Sequence, residues 1–345
     1  MENTVDAIAQ ELEIRKNYLG DEQIETIYFG GGTPSLLPIY LLEKILNTIQ
    51  KNFKIVINPE ITLEANPDDV NPEILRTWYS LGINRLSLGF QTFSDRLLKL
   101  MNRKHNLQHA LECINFIEKS KFDNFNLDLI FAIPTQTKSE FLFDLQKMLD
   151  IQPPHVSAYM LTFEEQSVFG VWLKKNMIQE QSEDFYSQCF LEVDKKLQEN
   201  GYEHYEISNF ARDNKFSKHN SNYWFNDKKF LGVGPSAASF DIVSRQTNID
   251  NKFKYVDSIR KGIIPCQKEI LSYKDSVNEY LFNNLRTSKG LDLNILQREY
   301  HYVLDKKILY FLLEKKFIKQ KDNHIFLTPE GMIVSNRILE YFFIT

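Results

Sequence analysis

The sequence predicts an α/β fold: a partial (β/α)6 barrel missing its first strand, joined to a C-terminal winged-helix-like module. Three observations predict it. Short apolar runs of strand length alternate with longer amphipathic runs through residues 1–245, the pattern of a parallel sheet with right-handed crossovers. A glycine loop, Gly30–Gly32, and the polar residues Glu64, Gln91 and Asp128 fall within or just past the ends of those apolar runs, where barrels carry their sites. Over residues 246–345 the alternation gives way to closely spaced helices and one hairpin.

The first predicted helix spans Asn3–Leu19, with Val5, Ile8 and Leu12 at three- and four-residue spacing and Asn3 or Thr4 as its cap. A strand ending at Phe29 runs into the glycines. A second helix starts near Pro38, with Leu42, Ile45, Leu46 and Ile49 on one side. Strand Ile61–Glu64 and a helix over Pro72–Leu81 follow, then strand Arg85–Phe90 and helical stretches over Ser94–Met101 and Leu107–Lys119. Strand Asn126–Ile130 precedes a helix near Ser139–Met148, strand Val156–Met160 precedes a long helix over Ser182–Asn200, and a short strand is expected at His204–Ile207. A βα barrel normally opens on a strand, so this register predicts that strand one and its loop are missing. The open edge predicts poor solubility.

The C-terminal part reads as helices over Ser276–Leu285, Asn294–Tyr300 and Asp305–Lys315, a hairpin over Phe317–Leu327, and a helix capped by Thr328 with Pro329 in its first turn. Helices with a two-stranded wing often bind DNA. Here the net charge of −5 argues for a packing role and against nucleic acid as a partner. The lysines between Lys306 and Lys321 are broken by Glu314 and apolar residues and read as a solvated helix face.

The 345 residues suit two domains, read as 1–245 and 246–345, and 43% hydrophobic residues supply an ordinary core. Aromatics reach 13%, which suits large apolar contacts or an aromatic-lined pocket. No apolar run approaches the ~18–20 residues of a membrane span, and the N-terminus has no signal-peptide core. The expectation is a cytoplasmic protein without an integral membrane segment. Cys113, Cys189 and Cys266 are far apart and form neither a disulfide framework nor a CxxC metal pair.

Three successive glycines let the backbone take positive φ and approach a ligand closely. The loop matches neither GxGxxG nor GxxxxGK[ST], so no phosphate-binding reading applies. A carboxylate or amide in an apolar strand is costly without a partner. Each of Glu64, Gln91 and Asp128 alone could be a structural hydrogen-bonder; at equivalent places in successive units, together with the glycine loop, they point to one shared ligand.

Five segments carry a resemblance: Tyr28-Phe29-Gly30-Gly31-Gly32-Thr33-Pro34-Ser35, Leu63-Glu64-Ala65-Asn66-Pro67, Asn84-Arg85-Leu86-Ser87-Leu88-Gly89-Phe90-Gln91, Leu127-Asp128-Leu129-Ile130 and His219-Asn220-Ser221-Asn222-Tyr223-Trp224. In this order they resemble the radical S-adenosylmethionine (SAM) family of oxygen-independent coproporphyrinogen III oxidase-like proteins, and within it the HemW-type haem-chaperone branch. The resemblance implies a radical SAM barrel. It implies that Gly31, Gly32 and Thr33 meet the SAM amino group, that Glu64, Gln91, Arg103 and Asp128 are further SAM contacts, and that Thr162 is a backbone contact. The chemistry is consistent: glycine-strand carbonyls suit the ammonium, a guanidinium the carboxylate, and a carboxylate the ribose hydroxyls. Taken alone, Arg103 reads as a solvated helix-end cation.

The resemblance also implies haem binding at His219, Asn220, Tyr223 and Trp224, with His219 as a candidate axial ligand to the iron and the aromatic rings as stacking surfaces. A lone histidine near aromatics reads equally as a satisfied core residue. Phe230-Leu231-Gly232-Val233-Gly234-Pro235 follows, with glycines suited to a flat ligand; the family's Gly-Ala after it reads Ser236-Ala237 here. The implied activity is that of a chaperone passing haem to an acceptor protein.

The departure is at the front. The family holds a 4Fe–4S cluster on a CxxxCxxC motif, since iron of this kind takes thiolate ligands. This chain begins after that motif, and none of its cysteines replaces it by spacing, so no metal ligand is expected here beyond His219. Two other readings follow. One is an oxygen-independent coproporphyrinogen III oxidase, decarboxylating two propionates; that branch's additional cysteine and distinctive N-terminal region are not visible. The other is a non-functional, N-terminally truncated fragment.

Overall fold

A computed structural model of the chain describes residues 1–165 and 167–344. The barrel part runs α1 (Glu2–Ile14), β1 (Ile24–Phe29), α2 (Ile39–Asn52), β2 (Ile55–Ala65), α3 (Pro72–Ser80), β3 (Arg85–Gln91), α4 (Asp95–Leu100), α5 (Leu107–Glu118), β4 (Phe125–Phe131), α6 (Lys138–Ile151) and β5 (His155–Met160). Strands β1 to β5 pair in chain order and in parallel, as a curled sheet. Local chemistry sets the helix starts. Asn71 caps α3 ahead of Pro72, and Thr137 with Glu140 forms a capping box on α6. By contrast α1 has no side-chain cap, because Asn3 and Thr4 lie inside its first turn, and it ends at Ile14 rather than Leu19.

The register sorts each strand into two faces. Leu63, Leu86, Leu88, Phe90, Leu127, Leu129, Phe131 and Val156 are buried against the helices, with Leu42, Leu46, Leu75, Trp78 and Ile117 opposite them. Burial of each such side chain contributes about 1.5–3 kcal/mol. The other face is mostly polar: Thr62 pairs with Arg85, Glu64 with Ser87, Ser87 with Asn126, Asn126 with His155, and Asp128 with Ser157, with Ile130 opposite Tyr159 beyond them. Period-two alternation therefore means helix-covered on one side and concave interior on the other.

Beyond β5 come α7 (Val168–Lys174), α8 (Glu183–Glu199), β6 (Glu203–Glu206), β7 (Asn209–Ala211) and α9 (Lys218–Asn222). The strand expected at His204–Ile207 is present as β6, but at the far edge of the sheet and antiparallel to β7, which is itself antiparallel to β5. Only two residues separate β6 from β7, and a parallel neighbour needs a long crossover.

A second sheet contains β8 (Ala238–Phe240), β9 (Ser244–Asn248) and, after α10 (Lys252–Arg260), β10 (Cys266–Ile270). Strand β9 runs across position 245. Glu11 of α1 locks this sheet to the barrel. The carboxylate is fully buried and accepts from Arg15 Nη1 (3.2 Å), Asn248 Nδ2 (2.9 Å), Gly234 N (2.9 Å) and the Tyr255 hydroxyl (2.5 Å). Arg15 Nη2 also donates to Gln246 Oε1 at 2.8 Å.

The remaining elements are α11 (Tyr273–Leu285), β11 (Leu291–Asp292), α12 (Leu293–Arg298), α13 (Lys306–Glu314), β12 (Ile318–Lys321), β13 (His324–Leu327), α14 (Pro329–Ile333) and α15 (Ser335–Phe342). The small sheet has the order β11-β13-β12. Val277, Leu281, Leu296, Leu312, Ile325 and Leu339 form a core of their own, and Thr328 caps α14 through Gly331 N.

Candidate functional site

Candidate side chains gather at the C-terminal ends of β1 to β4, on the concave face. After β1, Gly31 and Gly32 both have positive φ, 77° and 68°. Gly31 N donates to Glu64 Oε2 (3.1 Å), and the Tyr28 hydroxyl donates to Glu64 Oε1 (2.8 Å). Gly30 has no room for a side chain: a Cβ there would sit 2.7 Å from the Tyr28 ring and 3.0 Å from Glu64 Oε1. Thr33 is half-buried and precedes a short 3-10 turn over Pro34–Leu36.

Arg103, Gln91 and Asn66 converge on Gly89, where an added Cβ would lie 2.8 Å from Gln91 Nε2, 3.6 Å from Asn66 Oδ1 and 3.9 Å from Arg103 Nη1. Gln91 is brought inward by an irregularity in the β3–β4 register, and its φ is 70°. Arg103 Nη1 donates to Asn66 Oδ1 at 3.3 Å. Among the described residues Arg103 forms no ion pair, although desolvation lowers its pKa and the Asp128 and Asp68 charges oppose that shift. A half-buried guanidinium of this kind, beside carboxylates, fits the mixed charges of an amino acid ligand. Thr162 lies exposed two residues past β5, and among the described residues no hydrogen bond joins it to the group.

Asp128 is held from below. Asn126 Nδ2 donates to Asp128 Oδ1 (2.6 Å) and to Ser87 Oγ (3.1 Å), while Asn126 Oδ1 accepts from Ser157 Oγ (3.0 Å) and His155 Nδ1 (2.6 Å). His155 Nε2 is then left to accept from the Tyr205 hydroxyl at 2.7 Å. Burial lowers the His155 pKa well below its ordinary value, so the ring is neutral.

Burial raises the Asp128 pKa to about 7, with the Glu64 charge adding to it and the Asn126 hydrogen bond opposing it. The native state therefore binds a proton that the unfolded chain releases near pH 4. Stability from this group is present at low pH and lost as pH rises through about 7. Asp144, raised to about 6, and Glu206, raised to about 7, act in the same direction, both mainly by burial. Asp128→Asn should raise Tm at pH 7.5 and leave it nearly unchanged at pH 4.5. Thermal melts at the two pH values check this; equal changes at both would refute the assignment.

The His219–Trp224 segment lies against the same strands. Glu60 accepts the backbone N–H groups of Lys218 (3.2 Å) and His219 (3.0 Å), and Ser217 caps α9 through Asn220 N. His219 Nδ1 contacts Thr26 Oγ1 at 2.8 Å, and Nε2 contacts the Tyr223 hydroxyl at 2.7 Å. The imidazole stacks on Tyr28, centroids 4.8 Å apart at 22°. Burial lowers its pKa to about 4, so it is neutral near pH 7, the form that binds metals. Tyr223 is 45% exposed and meets the edge of His219. Trp224 turns away and stacks on Phe282 of α11 at 6.4 Å, with the Arg286 guanidinium 3.7 Å over Phe282. The structure thus brings His219 and Tyr223 together and ties Trp224 to the C-terminal module.

The glycines after this segment serve the fold. Gly234 N donates to Glu11, and a Cβ on Gly232 would lie 2.2 Å from the Ala238 carbonyl oxygen. The cysteines remain apart: Cys113 on α5 and Cys189 on α8 are buried, and Cys266 lies on β10. Burial raises the Cys189 pKa to about 12. This donor set does not fit a 4Fe–4S cluster.

Sequence reasoning did not assign roles to Thr26, Tyr28, Glu60, Asn126, His155 or Tyr205. The signal was the alternation itself: Asn126-Leu127-Asp128-Leu129 and His155-Val156-Ser157-Ala158 place every second residue on a polar face.

The Radical SAM superfamily matches residues 2–148. The chain is similar to the Heme chaperone HemW of Lactococcus lactis subsp. lactis (strain IL1403), 31% identical over 328 residues, covering 93% of this chain and 85% of the relative. It is 33% identical over 344 residues to HemW of Buchnera aphidicola subsp. Acyrthosiphon pisum (strain APS), covering 98% and 89%. With HemW of Bacillus subtilis (strain 168) it shares 30% over 347 residues, covering 98% and 90%. Among solved structures, coproporphyrinogen III oxidase (HemN) from Escherichia coli, described as a radical SAM enzyme, matches with a TM-score of 0.84 at 20% identity, covering 99% of this chain and 82% of that one. At that identity the likeness is one of fold.

Proposed function

The chain belongs to the HemW haem-chaperone family within the radical SAM superfamily, and from that premise we propose that it binds haem through His219 and passes it to an acceptor protein. The observation that supports this most directly is the pose of His219. It is a neutral imidazole, stacked on Tyr28, with Nδ1 on Thr26 and Nε2 on the hydroxyl of an exposed tyrosine. A metal-binding histidine usually donates its second ring N–H to an oxygen. Thr26 supplies that oxygen, which leaves Nε2 for the haem iron once Tyr223 swings aside.

The neighbouring group made of Gly31, Gly32, Thr33, Glu64, Gln91, Arg103 and Asp128, with Thr162 at its edge, is proposed to hold SAM. Bound SAM would supply an ammonium, a carboxylate and ribose hydroxyls for these side chains. In this reading Arg103 takes the carboxylate and Glu64 or Asp128 takes the donors. In this reading both sites lie before residue 245, and α11 meets the haem segment through Trp224.

Titrating the full chain with haemin tests the proposal. A saturable Soret shift at one haem per chain is expected, and a merely linear rise in absorbance would refute it. Tyr223→Phe should tighten haem binding about fivefold, because a hydroxyl hydrogen bond of about 1 kcal/mol no longer competes for Nε2. Weaker binding in that variant would instead make the phenol part of the haem site.

A further inference from the structure

We propose that Tyr28 is the positioning residue for the haem ligand, and that through it SAM binding at Glu64 releases His219 to bind haem. This rests on the haem-binding reading above and extends it. Tyr28 touches both candidate sites. Its hydroxyl donates to Glu64 Oε1 at 2.8 Å, while its ring carries the His219 imidazole at 4.8 Å and 22°. Thr26, two residues earlier on the same face of β1, holds His219 Nδ1 at 2.8 Å. Glu64 completes the chain of contacts by accepting Gly31 N with its other oxygen.

In this arrangement both nitrogens of His219 are engaged, so the imidazole is held in a pose closed to iron. The anchor of that pose is the Tyr28–Glu64 hydrogen bond. The donors of SAM, its ammonium and ribose hydroxyls, compete for the same carboxylate oxygens. Displacing the Tyr28 hydroxyl frees its ring, loosens the stack, and lets Nε2 part from Tyr223 while Nδ1 keeps its contact with Thr26. The two ligands then help each other, and linkage requires the factor to be equal in both directions.

The experiment compares haemin titrations of wild type and Tyr28→Phe, each with and without saturating SAM, and measures retention of labelled SAM by equilibrium dialysis. In wild type, SAM should tighten haem binding about fivefold, and haemin should tighten SAM binding equally. Tyr28→Phe keeps the ring and loses the anchor, so it should bind haem about fivefold tighter without SAM and gain nothing from adding it. A merely structural role would weaken haem binding in this variant. Wild-type haem affinity unmoved by SAM, failure to retain SAM at all, or unchanged or weaker haem binding in Tyr28→Phe would each overturn the proposal. Absence of a His219-dependent Soret shift would instead overturn the haem-binding reading itself.

Discussion

His219→Ala should abolish the saturable Soret shift, with haem affinity falling at least tenfold and the spectrum reverting to that of free haemin. The iron loses, among the described residues of the concave face, the half-buried imidazole whose Nε2 is covered only by the exposed Tyr223. The nearby histidines cannot take its place. His155 is fully buried with both nitrogens engaged by Asn126 and Tyr205. His204 is fixed by Asp194 and stacked on Phe210 at 4.0 Å. His105 is buried against the Phe90 carbonyl. Adding free imidazole should restore the shift in the variant, which separates loss of a ligand from loss of the fold. A wild-type titration curve from His219→Ala would place the iron ligand elsewhere.

Glu11→Ala should cost about 3–5 kcal/mol, the range for breaking a buried ion pair by removing one partner. The loss strands four donors: Arg15 Nη1, Asn248 Nδ2, Gly234 N and the Tyr255 hydroxyl. Arg15 is only 6% exposed, so water does not readily replace the carboxylate. For a chain of this size Tm should fall by roughly 4–7 °C. Glu11→Gln keeps the volume and one acceptor and should lose less. Replacing Glu11 and Arg15 together with apolar residues should recover part of the loss, since the pair is coupled. A drop below about 1 kcal/mol in Glu11→Ala would show that the network is solvated in solution.

The parallel strands were legible because each combines an apolar helix-facing half with a boundary of glycine, proline or a cap. Glu64, Gln91 and Asp128 stood out because polar side chains interrupt apolar runs. The full interior face was harder to read, since Asn126, His155 and Ser157 become a site only when the sheet curls round them. The β8–β10 sheet left little trace: Ser244-Arg245-Gln246-Thr247-Asn248 is polar throughout, and its burial follows from the distant Glu11 and Arg15. The contact between Thr26 and His219 joins residues 193 apart, and no local periodicity encodes it. The resemblance offers Trp224 as a haem-stacking ring, and no local pattern marks its stack on Phe282 of α11. The antiparallel turn into β7 was hidden by the shortness of both strands.

The Glu11 lock also sets an order of events during synthesis. Its partners Gly234, Asn248 and Tyr255 lie 223, 237 and 244 residues downstream. Helix α1 leaves the ribosome well before these partners, and its carboxylate stays in water until Tyr255 has emerged. At about 5–20 residues per second that is a wait of roughly 12–50 seconds. Over that interval the β1–β5 sheet can assemble around its apolar strands, and α1 is fastened only when the later sheet arrives. Helix α1 is therefore locked only by residues made much later, and Glu11 joins the two ends of the barrel part.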